Sequence, residues 1–155
     1  MNIDSKDQEI EQAFIASWNM TDKIYADFFM DTPEFFQRNQ LDPSELEALE
    51  GFVQLKSNRK RLKPILGLIA EMRQRGFDRQ LRAGHAMDRL ILSRSLKHGL
   101  RADQAALGID IGMESGMTVM YWHKPDSSLE IMLDRVELTP EVEQLLVKLL
   151  VQPIN

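Results

Sequence analysis

The sequence predicts an α+β fold, mainly helical, with about four N-terminal helices, a three-stranded antiparallel meander and one C-terminal helix. Three observations carry that reading. Apolar residues recur at three- and four-residue steps over roughly the first hundred positions. From Leu107 the period drops to two, with Leu107, Ile109, Ile111 and Met113 alternating with Gly108, Asp110 and Gly112. The helical period then returns in "LTPEVEQLLVKLLV".

The first helix is expected over residues 5–29, where Ile10, Phe14, Ser17, Thr21, Ile24 and Phe28 form one stripe and Asp7, Glu11 and Asp22 an acidic opposite face. Pro33 disfavours helix at the residue before it. "LDPSELEALEGF" announces a second helix: Asp42 is its cap, Pro43 stands where the missing N–H is harmless, and Leu46, Leu49 and Val53 form the buried stripe. A third runs from about Leu62 to Arg75, with Pro64 in its first turn and Gly76 supplying a left-handed stop. A fourth is expected from Asp78, as cap, to His98, halted by Gly99. Its apolar residues fall on two arcs, Ala83, Met87, Leu90 and Ile91 on one and Leu81, Leu92 and Leu96 on the other.

The strands follow as "GMTVMYWH" and "SLEIMLDR" after the Leu107 run, with Pro125 and Asp126 suited to a type I turn between them. Val119, Tyr121, Ile131 and Leu133 are then core residues. Met120, Trp122 and Met132 face the other way, an apolar and adaptable docking surface. Thr139 caps the last helix and Pro140 opens it.

With 155 residues the chain makes one domain, 1–155, large enough to fold without a metal or disulfide. It contains no cysteine, which removes thiol chemistry and suits a reducing cytoplasm. The polar, acidic start has no secretion signal and no apolar run reaches bilayer length. A soluble cytoplasmic protein is expected.

Charge is the most informative property. The net value of −5 hides an asymmetry. Lys56 to Arg101 holds 13 basic residues against 3 acidic, and the remainder of the chain 6 against 21. Read on a helical wheel, Arg79, Arg82, Arg89 and Lys97 share one arc, and Arg75 lies in the turn just before. These five are the candidate anion- or partner-binding residues. Arginine's planar fork suits paired hydrogen bonds to carboxylate or phosphate. The partner they call for is an acidic protein surface or an anionic ligand, with nucleic acid as the alternative. Against the alternative stand the single aromatic in the basic stretch, Phe77, and a predicted hairpin that offers only Lys124 to a phosphate backbone.

Catalytic apparatus is absent from the pattern. No phosphate loop, dinucleotide fingerprint, zinc helix or nucleophile elbow occurs. His85 and Asp88 share a predicted helix face without further ligands, so neither metal nor cofactor is expected. The sequence therefore reads as a non-catalytic binding, regulatory or adaptor protein, with a DNA- or RNA-binding regulator as the alternative. It is expected to be a homo-oligomer, with the first helix or the Trp122 face as seam.

Overall fold

A computed structural model describes residues 5–28, 62–86, 88–97, 104–112, 116–124 and 127–155. Among these residues the chain forms three helices and five strands. Helix α1 (Ser5–Phe28) and helix α2 (Pro64–Gln74) come first. A 3-10 turn (Phe77–Arg79) leads into strands β1 (Arg82–Ala86), β2 (Arg89–Ser93), β3 (Ala106–Ile111), β4 (Met117–Lys124) and β5 (Ser127–Leu133), and helix α3 (Pro140–Leu150) follows. The strands form one antiparallel sheet in sequence order. The expected second helix, the Pro125–Asp126 turn and the Gly99 stop lie outside the described residues.

One expectation is overturned. The segment from Asp78 to His98 is not a fourth helix. It forms the short 3-10 turn and the β1–β2 hairpin, so the sheet has five strands rather than three and the described part is less helical than predicted. The two apolar arcs of the helical wheel do not survive as separate faces: Ala83 and Leu90 of one arc and Leu92 of the other share the buried face of the hairpin. Ala83 lies opposite Leu92 and His85 opposite Leu90, while Gly84 lies opposite Ile91 on the other face. Pairing with β3 decides the outcome: Leu90 opposite Ile109 and Leu92 opposite Leu107 extend one buried apolar row that a solitary helix would not complete.

Register carries this row across the sheet. Ile109 faces Val119 and Val119 faces Ile131, with Leu107, Tyr121 and Leu129 alongside. The inner face packs with the helices into one core that includes Trp18, Tyr25, Ile65, Ile69, Met72, Leu146 and Leu149. Local signals set the helix boundaries. Pro64 opens α2, and Gly76 at φ 86° ends its turn in the left-handed region. The Thr139 hydroxyl accepts from the Val142 N–H and caps α3.

Helix α1 also seals the edge of the sheet. The Ala83 N–H donates to Ser17 Oγ at 2.9 Å, the Trp18 indole donates to the Leu81 carbonyl at 2.8 Å, and the Tyr25 hydroxyl donates to the Asp88 carbonyl at 3.0 Å. An unpaired edge strand is a template for unwanted pairing; one of these bonds takes up the Ala83 N–H of β1, and the other two fasten α1 to the residues flanking the strand. No described helix is long and apolar enough to cross a membrane.

Candidate binding site

The five predicted cations do not share a helix face, because no helix exists there. Arg75 follows α2 and reaches Glu143 of α3 at 2.9 Å. Arg79, in the 3-10 turn, lies 3.7 Å from Glu11 of α1. Arg89, on β2, directs Nε and Nη2 to the same Asp110 oxygen at 3.0 and 2.8 Å. Three of the five therefore meet carboxylates of their own chain, each pair at least partly exposed to solvent. Arg73 is held similarly, by Asp78 at 3.4 Å and by the Asn19 side chain at 2.6 Å.

Arg82 differs. Its Nε donates to the Ser95 carbonyl at 2.7 Å and its Nη2 to the Leu96 carbonyl at 2.5 Å. No Asp or Glu side chain pairs with it among the described residues. Both partners are neutral, the side chain is half-buried, and burial lowers its pKa from the ordinary guanidinium range. Guanidinium stays charged at any physiological pH, so this site holds a cation that no side chain among the described residues neutralises. Its acceptors are fixed in turn. The Leu96 N–H donates to a main-chain oxygen of Asn155 at 2.9 Å, the Asn155 N–H donates to the Arg94 carbonyl, and the Ser95 hydroxyl donates to the Lys97 carbonyl at 2.7 Å. Arg94 and Lys97 stand on this same segment and also lack a carboxylate partner among the described residues. Arg94 has its pKa lowered by burial, and Lys97 is exposed.

Beside Arg82 runs a groove between α1 and the outer side of the β1–β2 hairpin. It encloses about 230 Å³ and is lined by Met20 and Ile24 of α1, Arg82 and Gly84 of β1, and Ile91 and Ser93 of β2, among others. Gly84 forms its floor: a Cβ there would meet nothing within 4 Å. Arg82, Gly84 and Ile91 lie on the sheet face opposite the core, by register.

The predicted docking residues lie farther across that face. Met120 and Trp122 are half-buried, and Met132 is 79 % exposed. The Trp122 ring lies across Gly108, where a Cβ would stand 2.6 Å from Cη2, and the Arg89 guanidinium is 5.7 Å from the ring centroid. Trp122, Arg89 and Asp110 thus form one ordered platform.

Of the three histidines, only the His85 side chain is described. It is exposed, with its ring edge-on to Tyr25 at 6.4 Å. Among the described residues no group of three or more His, Cys, Asp or Glu side chains is placed to hold a metal. Sequence reasoning selected Arg82 but missed Met20, Ile24, Gly84 and Ile91 as its surroundings. A period-two reading of "RAG" would have put Arg82 and Gly84 on one face. Compared with protein-family models, curated proteins and solved structures, the chain matches none.

Proposed function

We propose that this is a non-catalytic binding protein that captures an acidic segment of another protein at the β1–β2 corner, with Arg82 as the anion receptor and Lys97 and Arg94 around it. The observation that supports this is the half-buried Arg82 guanidinium, which among the described residues is held only by backbone carbonyls. A partly desolvated cation that neutral carbonyls hold gains from an incoming carboxylate through a charge-assisted bond. The Nη1 donors take no acceptor among the described residues and are the atoms offered. Arg75, Arg79 and Arg89 drop out of the receptor, since a partner's carboxylate would have to displace one already present.

The test is fluorescence anisotropy of a labelled hexaglutamate peptide at low and physiological ionic strength. Binding is expected at low salt, weakening as salt screens it. Arg82→Gln should lower affinity about tenfold, the order of one charge-assisted bond, whereas Arg82→Lys should keep most of it. Equal binding by folded Arg82→Gln, or tighter binding of a labelled DNA duplex or RNA strand than of the peptide, overturns the reading.

A further inference from the structure

We infer that the groove beside Arg82 seats a large aliphatic side chain of the captured segment, two residues from the carboxylate that Arg82 binds. This rests on the binding reading above and narrows the partner to an extended acidic stretch carrying a Leu-, Ile- or Met-sized residue. Three features carry the inference. First, the groove is concave and lined largely by carbon, from Met20, Ile24, Ile91 and the β1 backbone around Gly84. About 230 Å³ exceeds the roughly 150 Å³ that admits a benzene ring, so one large side chain fits. Secondly, Arg82 and the Gly84 floor are alternate residues of one strand, about 6.6 Å apart along it at ~3.3 Å per residue. Alternate side chains on one face of an extended peptide repeat at the same distance. Thirdly, the Ala83 N–H is bonded to Ser17 Oγ, so the β1 edge does not recruit the segment as an added strand. Recognition is through side chains: a carboxylate on the Arg82 Nη1 donors, an aliphatic group in the depression. His85 is the one ring among the lining residues, which are otherwise largely aliphatic.

The chain itself provides a way to fill the groove. Because a Cβ at Gly84 meets open space, Gly84→Leu places an aliphatic side chain in the depression without displacing the core. The probes are labelled hexaglutamate and the same peptide with one central glutamate replaced by leucine. On the unmodified protein the leucine peptide should bind roughly tenfold to a hundredfold more tightly, the range expected for burying one such side chain. Gly84→Leu should abolish that gain. Met20→Glu, at a wall residue 53 % exposed, should do the same to the gain even if the Gly84 variant folds poorly. Absence of any leucine gain, or a gain that survives both substitutions, overturns the inference while leaving Arg82 as an anion receptor. A leucine peptide that binds with equal affinity to Arg82→Gln retires the anion receptor and the two-residue spacing with it. Octanoate competing as effectively as the leucine peptide would reassign the groove to a free amphiphile and overturn the protein segment as its occupant.

Discussion

Gly108 and Trp122 offer a quantitative test of how the outer sheet face is built. An alanine at Gly108 would place its Cβ 2.6 Å from Trp122 Cη2, 2.9 Å from Cζ3 and 3.0 Å from Arg89 Cδ, so the ring must lift from the sheet. Lifting it forfeits the contact with the Arg89 guanidinium, worth about 0.5–1 kcal/mol for a partly exposed pair. It also loosens the Arg89–Asp110 pair, whose side chains are 36 % and 40 % exposed and which therefore contributes only about 0–1 kcal/mol. Against these losses stands the entropic gain of replacing a strand glycine, roughly 0.5–1 kcal/mol. Overlap with a half-buried ring adds strain at the low end of the ~1–3 kcal/mol seen for overpacking, because the ring can move outward. Gly108→Ala should therefore destabilise by about 1–2 kcal/mol in urea titration. In a Trp122→Ala background the obstruction is gone, and the same glycine substitution should be neutral or stabilising. An equal cost in both backgrounds would show that the ring does not lie over Gly108.

Three further outcomes follow from particular bonds. Ser17→Ala removes the acceptor of the Ala83 N–H and should lower stability by about 1–2 kcal/mol in chemical denaturation, with faster exchange of the Ala83 amide; unchanged exchange would mean that α1 does not seal β1. Thr139→Ala removes the α3 cap and should cost about 1 kcal/mol, read as a shift in the denaturation midpoint, whereas Thr139→Ser should restore most of it. Burial raises the Tyr121 hydroxyl above its ordinary 10.0, so the folded chain holds this proton more tightly than the unfolded one. Its contribution is complete below about pH 10 and is lost as pH rises through the folded value. Stability should fall more steeply in alkali for the parent chain than for Tyr121→Phe, and parallel pH profiles would refute the assignment.

Elements bounded by distinctive residues were legible in the sequence. The α1 stripe, Pro64 and Gly76 around α2, and Thr139–Pro140 at α3 all mark features that the backbone adopts. The alternation from Leu107 likewise marks β3. The β1–β2 hairpin was not legible, for reasons of residue type. Its residues are mostly arginine, alanine and leucine, which favour helix, with Ile91 the one β-branched position. The hairpin connection at Met87 and Asp88 lacks the glycine or asparagine of a common two-residue turn. Apolar residues at three successive positions, Leu90 to Leu92, satisfy either period. Only the partner strand β3, distant in sequence, distinguishes the two, and a local pattern does not contain it.

The same difference in range governs the charges. Counting along the chain marks residues 56–101 as strongly cationic, but an ion pair depends on which carboxylate the fold brings near. Glu143, Glu11 and Asp110 come from three different elements, and each reduces the charge that Arg75, Arg79 or Arg89 presents outward. A uniform basic stripe would attract any polyanion through its summed field. On the proposed reading, a corner where Arg82 is anchored by two carbonyls acts instead as a directional receptor with an apolar neighbour at Gly84. Its discrimination should therefore depend more on the spacing of acid and aliphatic groups than on total charge. Moving the leucine of the probe from two residues away to one should reduce affinity although composition is unchanged, since adjacent side chains of an extended segment point to opposite sides. Equal affinity for the two arrangements would favour a diffuse electrostatic attraction over a built site.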